Sequence, residues 1–235
     1  TVSRRALPLG NGRKRLGAVI LTRDVSEVHR HEQELMTKDA TIREIHHRVK
    51  NNLQTVSALL RLQSRRSSED AVKVALAEAE RRVQAIATVH AALSQNVDES
   101  VDFDEVARTI VRMAGAIAST DHAVEVITTG SFGTIQADQA QALATVLNEL
   151  VANSVEHGLA ERDGLIEVRA VREGTSMTVT VADDGVGFVP GTPMSGLGTQ
   201  IVHQMVRGEL KGSIEWTPRE GGGTLVTLHA NLDPA

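Results

Sequence analysis

The sequence predicts a long helical hairpin, suited to pairing with a second copy as a dimerising four-helix bundle, followed by a mixed α/β layer domain. Three observations carry this. Across residues 41 to 66 the apolar positions Ile42, Ile45, Val49, Leu53, Val56 and Leu60 recur in steps of three and four with no Gly or Pro between them, the stripe of an amphipathic helix. A second such stripe, Val72, Ala75, Ala79, Val83, Ile86 and Leu93, follows a short polar break. From Val101 onward helical and alternating strand patterns intermix, as layered α/β domains require.

Taken in order, residues 4 to 23 read as a β-hairpin, because two apolar runs flank Gly10-Asn11-Gly12 and Asn-Gly between such runs is a strong hairpin signal. Asp24-Val25-Ser26-Glu27 then opens a polar helical stretch through Leu35, with Asp24 placed as an N-cap and Glu27 three residues later as in a capping box. Ser67 and Ser68 are candidate N-caps for the second long helix, which runs to about Ser94. A lone hairpin buries one stripe only, hence the expectation of a homodimer.

Beyond it we expect a helix at 103 to 118, a strand at 123 to 128, and a long helix at 139 to 157 ended by Gly158 as its C-cap. Strands near 165 to 171 and 176 to 182, a helix near 197 to 207, and strands near 213 to 217 and 224 to 230 complete the set. Residues 96 to 100 read as a linker. The expected domains are therefore 1–28, a β-hairpin with the start of a helix; 29–98, the helical hairpin; and 99–235, the α/β domain.

Composition narrows the function classes. With 235 residues and 41% hydrophobic content, the chain can bury an aliphatic core. No apolar run reaches the roughly 18 residues of a membrane span, and the Thr1-Val2-Ser3 start reads as that of an internal fragment. Zero cysteines exclude disulfides, thiol nucleophiles and Cys-based zinc sites, and fit a cytoplasmic location. Residues 1 to 66 carry 14 Lys/Arg against 6 Asp/Glu, the remainder 11 against 24. The basic part holds no Phe, Trp or Tyr on which bases could stack, so no nucleic-acid partner is expected.

Within the 139 to 157 helix, Glu149, Asn153 and His157 stand four apart and share one face. The amide oxygen of Asn153 suits Mg²⁺, which takes few protein oxygens and completes its shell with water and phosphate. The strand ending in Asp183-Asp184-Gly185-Val186-Gly187-Phe188 puts a carboxylate at a sheet end, with glycines that admit a ligand close to the backbone. Ser195-Gly196-Leu197-Gly198-Thr199 leads into a helix whose free N–H groups would face phosphate. Gly221-Gly222-Gly223-Thr224 precedes the last strand.

Each signal alone is common. Together, in this order, they resemble the nucleotide-binding boxes of the GHKL superfamily, the Bergerat-fold ATPases that include histidine kinases, gyrase, Hsp90 and MutL. The resemblance implies an α/β two-layer sandwich that binds ATP with Mg²⁺. It implies that Asn153 holds the metal and that Asp183 hydrogen-bonds the adenine amino group. Gly185, Gly187, Gly196 and Gly198, with Leu197 between the last two, would border lid and phosphates, Thr224 would sit beside the adenine, and residues 188 to 195 would form a short lid.

The segment Glu44-Ile45-His46-His47-Arg48-Val49-Lys50-Asn51-Asn52-Leu53-Gln54 holds two adjacent histidines. His47 lies about 200° around the helix from both Ile45 and Val49, whereas His46 falls about 60° from Val49. Phase therefore selects His47 as the exposed imidazole, whose neutral ring nitrogen can attack a γ-phosphate, with Asn51 one turn on to orient it. The segment resembles the phosphoacceptor box of the sister group of the HWE histidine kinases, a resemblance covering about residues 40 to 230. His157 matches a histidine of that group's asparagine-box helix.

Two departures stand out. Arg48 follows the acceptor where most histidine kinases have an acidic residue, and Trp216 is followed by Thr217-Pro218 instead of the Trp-x-Glu of strict HWE kinases. The strand-to-helix junction near residue 24 resembles the end of a PAS sensor domain. The resemblance implies a sensor histidine kinase that phosphorylates His47 and passes the group to an aspartate of a response-regulator receiver domain. The rival readings are a hydrolysing ATPase using Glu149 to activate water, a serine kinase, and a dimeric scaffold that binds ATP without turnover.

Overall fold

The computed structural model describes residues 2–10, 15–24, 26–94, 100–115, 122–160, 162–188 and 196–234, without the side chains of 8–10, 15–17, 28, 29, 31–39, 43, 114 and 115. Asn11 and Gly12 of the expected turn, residues 96 to 99 of the expected linker and 189 to 195 of the expected lid lie outside this set. The chain divides into two compact units, Thr1–Glu44 and Ile45–Ala235.

In the first unit β1 (Val2–Gly10) and β2 (Arg15–Asp24) form the antiparallel hairpin read from the sequence. Asp24 Oδ1 accepts the Ser26 N–H at 2.9 Å; hydrogen bonding from the Ser26 side chain first and its backbone second holds the Asp24 carboxyl below its usual range, at the start of α1 (Ser26–Arg66). The two helical stretches expected separately are one helix, since residues 36 to 40, Met-Thr-Lys-Asp-Ala, hold no breaker.

In the second unit the C-terminal part of α1 runs antiparallel to α2 (Asp70–Leu93). The pairing is marked by His46 against His90, with Nδ1 atoms 3.1 Å apart, by Arg61 Nε donating to Glu80 at 2.9 Å, and by Ser64 Oγ near the Lys73 carbonyl at 3.4 Å. The N-cap of α2 is Glu69, in extended conformation, and not Ser67 or Ser68. Ser67 Oγ instead accepts the Glu69 N–H at 3.2 Å, shaping the turn one step earlier.

The α/β part runs β3 (Ser100–Asp102), α3 (Phe103–Gly115), β4 (Val124–Gly130), β5 (Thr134–Gln136), α4 (Ala137–Asn153), a π-helical turn (Ser154–Gly158), β6 (Gly164–Glu173), β7 (Ser176–Asp183), α5 (Leu197–Gly208), β8 (Ser213–Pro218) and β9 (Thr224–Asn231). A five-stranded sheet has the order β4-β6-β7-β9-β8, parallel at β4–β6 and antiparallel elsewhere. Ser100, expected in the linker, opens β3, which pairs with β5. Three residues are too few for either strand to show an alternation in sequence.

Strand alternation sends Ile166, Val168, Met177, Val179, Val181 and Leu228 inward against Leu143, Leu147 and Val151 of α4 and Val202 and Val206 of α5. The facing positions Arg169, Thr178, Thr180, Thr227 and His229 are not buried, so helices cover one face and the domain is a two-layer sandwich. The core continues into Val89 and Leu93 of α2. Each such aliphatic side chain, once buried, contributes about 1.5–3 kcal/mol.

Gly158 does not cap α4 through a left-handed conformation, as was expected. The helix widens into the π turn, which Leu159 closes by donating its N–H to the Ser154 carbonyl at 2.9 Å. Gly158 is small for another reason: a Cβ on Gly185 would collide with the Gly158 carbonyl, and one on Gly158 would sit 3.1 Å from Asp183 Cγ.

Candidate functional site

A cavity of about 300 Å³ opens between α4, the turn after β7, the start of α5, strands β8 and β9, and one face of α2. Glu149, Asn153, His157, Asp183, Gly187, Gly196, Leu197, Gly198 and Thr224 all line it. Residues scattered over 76 positions of sequence therefore share one wall. His47 and Asn51 do not line it; they are exposed on α1. Gly185 stands behind the wall, against Gly158.

Asp183 ends β7 and is 3% exposed. Its Oδ1 accepts two backbone N–H groups, from Gly185 at 3.0 Å and Thr224 at 3.1 Å, and its Oδ2 accepts the Ser154 hydroxyl at 3.2 Å. The carboxylate is thus fixed in direction, and Oδ2 keeps a lone pair for a ligand donor. Gly187 and Gly223 hold positive φ, +68° and +96°, and a Cβ on Gly223 would meet the Asp183 carbonyl. These turns need glycine for both conformation and space.

Asn153, the last residue of α4, is half-buried in the wall, and its amide has no partner among the described residues. His157 falls in the π turn, so it does not continue the α-helical face of Glu149 and Asn153, yet it reaches the same cavity with an exposed ring. Gly196 is the extended N-cap of α5, and no side chain caps the helix. The first-turn N–H groups have no intrahelical partners and belong to residues that line the cavity, an arrangement suited to an anion.

Glu149 is buried and both of its oxygens accept from Arg82 of α2, Nε to Oε1 and Nη2 to Oε2, each at 2.9 Å. This bidentate contact, opposed in part by burial, raises the Arg82 pKa further. Next to it Arg81 pairs with Glu156 at 2.7 Å. Sequence reading missed both arginines, because the Glu78/Arg82 spacing of four looks like a solvated helix pair. It also missed Ser154, adjacent to Asn153, and Trp216, which packs on His203 with ring centroids 5.1 Å apart and lines the cavity beside Thr224 and Val226.

On the hairpin, His46 faces inward against His90, ring centroids 5.3 Å apart. Burial first and the neighbouring His46 second push the His90 pKa down. His47 points away from that contact and is exposed, as helical phase predicts.

A family model described as "Histidine kinase" matches residues 44–117, and one described as "Histidine kinase-, DNA gyrase B-, and HSP90-like ATPase" matches residues 138–234. The chain belongs to the histidine kinase family. It is 47% identical over 97% of its length to the sensor histidine kinase PdtaS of Mycolicibacterium smegmatis, covering 47% of that protein. It is 29% identical over 83% of its length to blue-light-activated histidine kinase 2 of Erythrobacter litoralis, covering 58% of it. The chain spans about half the length of the curated relatives it matches.

The solved structure of an Erythrobacter litoralis blue-light activated histidine kinase shares the fold, with a TM-score of 0.58 at 23% identity, over 92% of this chain and 64% of that one. The two matched regions fall on the hairpin with α3 and on the cavity-bearing sandwich. The second is the ATP-binding module of this histidine kinase family. No helix among the described residues is long and apolar enough to cross a membrane.

Proposed function

We propose that this chain is the kinase core of a sensor histidine kinase that moves the γ-phosphoryl group of Mg-ATP onto His47 and then to an aspartate of a response-regulator receiver domain. The observation that carries the reading is the cavity: its lining joins a fixed carboxylate, Asp183, an amide, Asn153, without a partner among the described residues, and the start of α5, whose N-cap is a glycine. The same compact unit presents an exposed His47.

Each residue has a matching task. Asp183 Oδ2 accepts from the adenine amino group, with Thr224 beside the base. Asn153 offers one hard oxygen to Mg²⁺, and His157 lies on the same rim. Mg²⁺, when bound, neutralises charge on the phosphate oxygens. The N–H groups near Gly196, Leu197 and Gly198 hold the phosphate tail, and Gly187 gives it clearance. A His47 ring nitrogen forms the N–P bond as the bond to the β,γ-bridging oxygen breaks and ADP departs with the electron pair. Asn51, one turn along, orients the imidazole.

Glu149, the candidate water activator of the hydrolase reading, is held by Arg82; what favours transfer over hydrolysis is the exposed His47 that the same compact unit carries. Homodimerisation through the exposed hairpin stripe, a cytoplasmic location and descent of β1–β2 from a PAS-like sensor domain belong to the same proposal. The test is incubation with γ-labelled ATP and Mg²⁺. Acid-labile label on the protein, kept in His46→Gln and absent in His47→Gln, is expected. Free phosphate without labelled protein would establish the hydrolase instead.

A further inference from the structure

The nucleotide cavity has an unusual charge balance for a site meant to receive a polyphosphate. Its wall carries the carboxylates of Glu78, Glu149, Glu156 and Asp183 against the guanidiniums of Arg81 and Arg82. Arg81 is tied to Glu156 through two contacts, 2.7 and 3.2 Å. Arg82 stands beside the start of α5: a Cβ on Gly198 would collide with Glu149 Oε2 and lie 3.5 Å from Arg82 Nη2. The Glu149 carboxylate therefore sits beside the first turn of α5, held by a planar fork, at the place where that helix end favours an anion.

We infer that Arg82, supplied by the helical hairpin, is a phosphate-binding residue of the ATP site, and that Glu149 stands in for a phosphate oxygen pair until nucleotide arrives. The inference rests on the nucleotide reading above and adds a residue to it. A phosphate tail entering between Asn153 and Gly198 meets the same fork, because guanidinium geometry fits phosphate as it fits carboxylate. Arg81, paired with Glu156, keeps α2 against the π turn that follows α4 while Arg82 changes partner. Glu78, 3.3 Å from Arg82 Nη2, stays within reach of it. Nucleotide affinity then depends on a residue outside the ATP-binding sandwich.

Removing Arg82 alone would strand a buried carboxylate and endanger the fold, so the informative pair is Glu149→Gln against Arg82→Met/Glu149→Gln. Titration calorimetry with Mg-ATP and with adenosine, on the whole chain, separates tail from base. We expect the two variants to bind adenosine equally, and the double variant to bind Mg-ATP about ten- to hundredfold more weakly, the range for hydrogen bonds to a charged group. Equal or tighter Mg-ATP binding by the double variant would overturn the role given to Arg82. Failure of the unaltered chain to bind either ligand would overturn the nucleotide reading beneath it.

Discussion

The Ser154 hydroxyl donates to Asp183 Oδ2 at 3.2 Å, joining the end of the long central helix to the end of β7 across 29 positions of sequence. The other oxygen takes the N–H groups of Gly185 and Thr224. One carboxylate thus organises three chain segments.

Asp183→Ala should therefore unfold at lower urea concentration, with about 1–3 kcal/mol lost for each buried N–H left without a partner. Asp183→Asn keeps an acceptor for those groups and should lose less stability. Its amide presents a donor where a purine amino group needs an acceptor, so ATP binding should weaken at least about tenfold. Urea melts and calorimetry on both variants check the split; equal loss of stability in the two would refute it.

Gly185→Ala should destabilise the chain by about 1–3 kcal/mol or more, since its Cβ has no room beside the Gly158 carbonyl. Gly196→Ala is the matched control. Nothing lies within 4 Å of a Cβ there and φ is −69°, so its melting temperature should stay near that of the unaltered chain.

Burial of His90, with His46 beside it, gives the hairpin a pH dependence. Folding lowers the His90 pKa from 6.5, so the unfolded chain binds the proton first as pH falls. Stability should be full above the unfolded value and decline as pH drops through 6.5, levelling off below the folded value. Thermal melts between pH 7.5 and 5.5 should show this decline, and His90→Gln should lack it. Parallel curves for the two proteins would remove His90 as its source.

The hairpin leaves Leu59 55%, Leu62 43% and Val74 57% exposed. Replacing Leu59 and Val74 with Glu should shift a dimer to monomer in sedimentation velocity while leaving adenosine binding intact, because neither residue lines the nucleotide cavity. An unchanged sedimentation coefficient would place the dimer contact elsewhere.

Much of this was legible in the sequence because it is periodic or ordered along the chain. The steps of three and four gave both hairpin helices, and phase separated His47 from His46. The Asn153, Asp183 and Gly196 segments converge on the cavity as their order implied. What sequence could not show is long-range or locally ambiguous. Arg82 lies 67 positions from Glu149, and its spacing from Glu78 suits a solvated surface equally well. The π turn replaces an α-helical register that nothing in Ser154-Val155-Glu156-His157 forbids. β3 and β5 are too short to betray themselves.

Gly158, Gly185 and Gly223 bring main chain against main chain or against Asp183 with no side chain between. That end of the cavity has little slack: a side chain on Gly185 or Gly223 would have to push backbone aside, and one on Gly158 would press on the Asp183 carboxylate. Diversification among descendants of this sequence, and selectivity engineered into inhibitors, would have to come from the side of the cavity formed by α2, where Glu78, Arg81 and Arg82 are side chains on a regular helix and Arg82 can change together with its partner Glu149.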